Sequence, residues 1–93
     1  MKYMIIETFK AGMVDKVYDR FNEKGRMLPD DLYYLDSWLS NDRMRCFQLM
    51  ETDRFELIEE WTAKWDDLIE FEIVSVQDSP TKVAQQTGSR DAD

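Results

Sequence analysis

Apolar residues recur along this chain on two different periods, and the order in which those periods alternate predicts the fold. Strand-like runs rich in aromatic and branched side chains cover Lys2 to Thr8, Leu32 to Leu39, Met44 to Glu51 and Ile69 to Val76. Helix-like runs cover Met13 to Lys24 and Asp53 to Asp66. In the first, Val14, Val17, Tyr18 and Phe21 recur at i, i+3, i+4 and i+7, which puts all of them on one stripe. Ile58, Trp61, Trp65 and Leu68 form the stripe of the second, with Phe55 at its leading edge, while Glu59, Glu60 and Lys64 face water. Gly25 stops the first helix and Pro29 keeps the chain extended after it. Ser40-Asn41-Asp42-Arg43 has the length and composition of a hairpin turn, and Thr52 or Asp53 is expected to cap the second helix, with Glu56 completing a capping box.

A βαββαβ order closes most simply as a ferredoxin-like α+β sandwich, a four-stranded antiparallel sheet with both helices on one face. Residues 1–78 are expected to form this single domain. From Gln77 the composition shifts to Asp, Ser, Pro, Thr, Gln and Gly, so residues 79–93 are expected to be a disordered tail. The period of two assigns Leu35, Leu39, Phe47, Leu49, Phe71 and Ile73 to the helix-covered face. The opposite face then receives Leu32, Tyr34, Asp36 and Trp38, then Met44, Cys46, Gln48 and Met50, then Glu72, Val74 and Val76, with Tyr3, Ile5 and Glu7 assigned there as well. So much apolar area needs a cover. A second copy of the same sheet supplies it, giving a homodimer that encloses a barrel-like cavity.

Composition bounds the chemistry. At 93 residues, 43% hydrophobic and 34% charged, the chain has the balance of a soluble globular domain with one core. No apolar run approaches a membrane span and no signal-peptide pattern opens the chain, so a cytoplasmic location without membrane contact is expected. The net charge of −8 argues against nucleic acid as a partner. One cysteine, Cys46, closes no intramolecular disulfide, in keeping with a reducing compartment. Histidine is absent altogether, which removes the usual general base near neutral pH, the usual haem ligand and the commonest zinc ligand. Scattered Asp and Glu form no metal motif, and neither metal nor cofactor is expected.

The catalytic candidates are therefore Asp36 and Glu72, whose proton affinities would split if both faced one dry cavity, and Gln48, an amide that must find partners there. Tyr34, Trp38, Cys46, Gln48 and Met50 are the candidate ligand-binding residues, with Arg26 at the cavity mouth for an anionic group. Each has a plainer role. Trp38 and Met50 suit an interface core, Cys46 a small apolar filler, and Asp36 an ion pair with Arg45 or Arg26; Trp61 and Trp65 are read as packing.

The stretch Lys24-Gly25-Arg26-Met27-Leu28-Pro29, then Asp36-Ser37-Trp38, then Arg45-Cys46-Phe47-Gln48-Leu49-Met50-Glu51, Trp61, Trp65, Asp67-Leu68 and Phe71-Glu72-Ile73 resembles the bacterial family domain of unknown function 3303. That family is similar in fold to the dimeric α/β-barrel superfamily, which includes antibiotic-biosynthesis monooxygenases, muconolactone isomerases and haem-degrading monooxygenases. The resemblance implies a dimer and a cavity, and no particular reaction. Two functional classes follow. One is a protein binding a small hydrophobic or phenolic molecule, with cofactor-free monooxygenase or isomerase chemistry if it is an enzyme. The other is an interaction dimer with a filled barrel. An open cavity favours the first.

Overall fold

The computed structural model of the chain describes residues 1–80. Its strands are β1 (Lys2–Phe9), β2 (Tyr33–Leu39), β3 (Arg45–Glu51) and β4 (Ile69–Val76), with α1 (Val14–Lys24) after β1 and α2 (Phe55–Thr62) after β3. They form one antiparallel sheet in the order β2-β3-β1-β4. This is the ferredoxin-like α+β fold that the alternating periods predict. The two central strands come from different halves of the chain, so pairs such as Tyr3↔Met50 and Ile5↔Gln48 lock the halves together. Among the described residues, no helix is long and apolar enough to cross a membrane. The expected disordered tail lies, beyond residue 80, outside the described residues.

The core lies between the helices and one face of the sheet, where Tyr3, Ile5 and Phe9 of β1 and Met50 of β3 meet Val17 of α1 and Leu57, Ile58 and Trp61 of α2. That placement corrects the expected faces of the central strands. Tyr3, Ile5, Glu7, Cys46, Gln48 and Met50 lie under the helices, whereas Phe47 and Leu49 belong to the open face. The reason is that β1 and β3 are apolar in both phases, so periodicity alone does not tell inside from outside there. Pairing with β4 decides it. Residues directly opposed in an antiparallel ladder share a face, and β4 is apolar in one phase (Ile69, Phe71, Ile73) and acidic in part of the other (Glu70, Glu72). Phe71 and Ile73 therefore turn to the helices, as expected, and take Glu7 and Ile5 with them.

A bulge between Tyr34 and Asp36 shifts the phase of β2. Tyr34 joins Ser37 on the helix side, their hydroxyls 2.6 Å apart, while Asp36 and Trp38 stay on the open side. Leu39 faces the helices as expected, Leu35 is the exposed residue at the bulge, and Leu32, expected on the open face, is buried just before β2. The capping box does not form. Residue Arg54 stands at the N-cap, Thr52 Oγ1 accepts from its N–H at 3.1 Å, and Glu56 pairs with the Arg54 guanidinium instead.

Met50 and Ile58 are fully buried, so these side chains serve the core of one chain. Truncation of Ile58 to Ala should cost about 2–5 kcal/mol, read as a lower urea midpoint with an unchanged m-value.

Candidate functional site

The site is built from the way α1 ends. Gly25 takes a positive φ of 66°, open to glycine without penalty, and its N–H closes the last turn on the Phe21 carbonyl at 2.7 Å. The chain then reverses, and the carbonyl of the next residue, Arg26, accepts two indole N–H groups, from Trp61 at 2.8 Å and Trp65 at 3.1 Å. Those tryptophans are four residues apart, one on α2 and one in the turn that follows, so their rings reach the same side. Lys64 Nζ donates to the Met27 carbonyl at 3.0 Å, and Arg20 on α1 forks onto both carboxylate oxygens of Asp67 at 2.8 and 2.7 Å. The sequence pattern reads Trp61 and Trp65 as packing only. Their N–H groups also fix where the Arg26 side chain starts.

From that anchor the Arg26 guanidinium lies 3.7 Å from the centroid of the Tyr34 ring and 5.2 Å from that of Phe21, and its Nε donates to Gln48 Oε1 at 3.1 Å. Arginine only donates, so the Gln48 amide has one satisfactory orientation, which leaves its Nε2 to donate to Glu7 Oε2. Arg26, Gln48 and Glu7 thus form one hydrogen-bonded line across β3 and β1. It runs along a cavity of about 350 Å3 between α1 and the sheet, whose apolar walls include Phe9, Val17, Phe21, Trp61 and Ile69.

Glu7 is 5% exposed. Burial pushes its carboxyl up to about 7, against the opposing pull of the Gln48 hydrogen bond and the Arg26 charge. Its second oxygen has no protein partner among the described residues and is not sealed from the cavity. Cys46, opposite Glu7 in the ladder, has its thiol pushed up to about 11 by burial and by the Glu7 charge, with Arg26 opposing, so it is a protonated filler and no nucleophile.

Of the residues singled out from sequence, Arg26, Cys46 and Gln48 meet at this cavity and Tyr34 flanks Arg26, but on the helix side of the sheet and not between two sheets. Trp38 borders the cavity from the edge strand, and Met50 is core. Asp36 and Glu72 do not come together: they sit on the two outer strands, three strand spacings or roughly 14 Å apart. Asp36 accepts the Ser37 N–H at 2.8 Å, and among the described residues it forms no ion pair with Arg45 or Arg26. Glu7 is the residue that sequence reasoning missed as a site. Its signal was available: it is the one carboxylate in the phase Tyr3, Ile5, Glu7, Phe9. Among the described residues, no group of three or more His, Cys, Asp or Glu is arranged to hold a metal.

A family model described as Domain of unknown function (DUF3303) matches residues 1–88. No curated protein and no solved structure matches the chain.

Because the carboxyl of Glu7 is raised from 4.5 to about 7, the folded chain holds a proton there that the unfolded chain has already released between those pH values. The resulting stability is fully present below pH 4.5 and is lost as pH rises to about 7, by roughly 3 kcal/mol. Glu7→Gln carries no such proton. The difference in urea-unfolding stability between wild type and this variant should therefore decline over that window and level off above it; a difference independent of pH would show that Glu7 ionises like a surface glutamate.

Proposed function

We propose a function from the cavity itself, since the chain belongs to the family Domain of unknown function (DUF3303), whose name states no activity. The chain binds a small, mainly apolar molecule between α1 and the sheet, and Glu7 exchanges a proton with it. The observation that carries this reading is a buried carboxyl lining a mainly apolar cavity of about 350 Å3, with one oxygen left without a protein partner among the described residues and burial pushing the group up to about 7. The volume is at the small end of ligand pockets, which run about 300–1,000 Å3, and suits one or two rings. A core that needed only to fill itself would gain nothing from a glutamate at this position, because an apolar side chain avoids the desolvation cost.

In chemical terms, the Glu7 carboxylate takes a proton from a carbon or hydroxyl of the ligand, and the resulting acid returns it at a second atom. This isomerase-type shift consumes no oxidant and needs no histidine. The pKa near neutral serves both directions at physiological pH. A bound apolar ligand would displace water from beside Glu7 and so limit its competition for the proton. The Trp61 and Trp65 rings border the cavity, so ligand entry is expected to quench tryptophan fluorescence. Titration with 4-methylphenol, 4-methylbenzamide and 4-methylbenzoate should give saturable quenching by at least one probe, lost when Val17→Phe fills the space in a variant that keeps its circular dichroism. No response to any of the three would sink the reading.

A second copy of this chain is proposed to cover the open face. Its centre is the four-residue patch Met4, Ile6, Phe47 and Leu49, contiguous through the pairs Met4↔Leu49 and Ile6↔Phe47, and Trp38 adjoins it at 50% exposure. Asp36, Glu70 and Glu72 lie on the outer strands, so the charge that would repel a second acidic chain stays at the rim. Four strands about 4.8 Å apart and about 25 Å long give a face near 500 Å2 in projection, before side-chain relief, against the roughly 800 Å2 per partner of a standard interface. The Trp38→Asp variant should sediment as a monomer at concentrations where the wild type is dimeric; a wild-type monomer at tens of micromolar would refute the cover.

A further inference from the structure

The polar end of the cavity indicates what kind of ligand it takes. Among the described residues Arg26 is the only cation lining it, and it is incompletely used. Nε is committed to Gln48, while neither Nη group has a protein acceptor among the described residues, and neither is sealed from solvent. The Tyr34 and Phe21 rings flank the guanidinium, and its free donors lie in its own plane. Two parallel N–H groups presented in that way match the two oxygens of a carboxylate. Among the described residues nothing takes that place: Glu7 is reached only through Gln48.

We infer that the ligand of this cavity is a small aromatic or alicyclic carboxylate, its carboxylate forked onto the Nη groups of Arg26 and its ring set among Phe9, Val17 and Trp61, with a ring or side-chain atom beside the free oxygen of Glu7. The inference rests on the cavity being a ligand site, and it adds the charge and anchoring point of the ligand. The length of the Gln48 amide then sets the offset between the anchored carboxylate and the atom that exchanges a proton. Arg26 is both a binding group and the end of the line that orients Gln48, so the ligand and the proton-transfer residue report to each other.

That coupling has a sign. A bound anion near Glu7 disfavours its ionised form, so carboxylate binding is accompanied by proton uptake and weakens as pH rises through 7. The other ionisable groups facing Glu7 are Arg26 from the loop after α1 and Cys46 from β3, and α1 adds Tyr18 to the cavity wall; α2, β2 and β4 contribute no charged group to it.

The test is a fluorescence titration of the full chain with 4-methylbenzoate and its neutral isostere 4-methylbenzamide, at pH 6 and pH 8, repeated with Arg26→Met. At pH 6 the benzoate should bind at least about tenfold tighter than the benzamide, as expected for a charge-assisted fork, with that advantage shrinking at pH 8. Calorimetry in buffers of different ionisation enthalpy should show a fraction of a proton taken up with the benzoate only. The Arg26→Met variant should lose the preference while still binding the benzamide, and Arg26→Lys should restore part of it. Equal affinity for both probes, or a benzoate preference that survives Arg26→Met, overturns the inference and leaves the ligand site standing. Silence from both probes and from 4-methylphenol removes the site itself.

Discussion

The arrangement under the helices depends on one carbonyl oxygen. Arg26 O receives the indole N–H groups of Trp61 and Trp65, two buried rings that join the loop after α1 to α2 and the turn that follows it. A carbonyl has two lone pairs, so the two donors saturate it. Position and direction of the loop follow. Gly25 turns the chain toward the clamp, the clamp fixes the Arg26 backbone, and the side chain then reaches Gln48, which in turn holds Glu7. The indoles satisfy their own polar N–H by the same contact, which lets two large rings be buried without an orphaned donor.

A buried carboxyl is an expense to the fold, and here the expense is moderated by keeping the group neutral over much of the physiological range. Fully ionised, Glu7 would face only one amide donor and a guanidinium one residue removed. Held near neutrality, it changes charge with little free energy, and small changes around it decide which form is present. Cys46 beside it shifts in the same sense, pushed up to about 11 by burial and by Glu7, and so stays protonated near neutral pH. The two groups are adjacent in the ladder, yet only one of them is available to a proton at pH 7.

Element order, strand pairing and the ferredoxin-like closure are legible in the sequence because each depends on local period and turn chemistry, and these agree from Lys2 to Val76. The faces of the central strands are not legible from period alone. Tyr3, Ile5 and Met50 alternate with Met4, Ile6 and Leu49, and neither phase is polar enough to mark the outside. The missing information was in β4, where Glu70 and Glu72 define the wet phase, and in the ladder that transmits that choice to Ile5, Glu7 and Gln48. In β2 the bulge at Leu35 breaks the alternation, so Tyr34 parts from Asp36 and Trp38. Gln48, Cys46, Arg26 and Tyr34 could be named from sequence as polar or aromatic residues in want of partners, but on the wrong side of the sheet, and Glu7 was passed over because its strand could not be oriented.

The corrected faces separate two tasks that a single mixed face would have set against each other. A sheet surface that must pair with another copy tolerates no poised carboxyl, since closing it would desolvate the group twice over and tie its proton affinity to assembly. The open face meets that condition: its centre, Met4, Ile6, Phe47 and Leu49, is free of ionisable groups, and the acids lie on the outer strands or, as Glu51, at the end of β3. The helix face has the converse need, a polar line with a hollow beside it, and α1 walls that hollow, tied near its middle by Arg20 to Asp67 and by the Tyr18 ring to that of Phe9, 6.3 Å apart. The ligand chemistry proposed for one side and the association proposed for the other can then vary independently, since the alternation of the strands keeps their side chains apart.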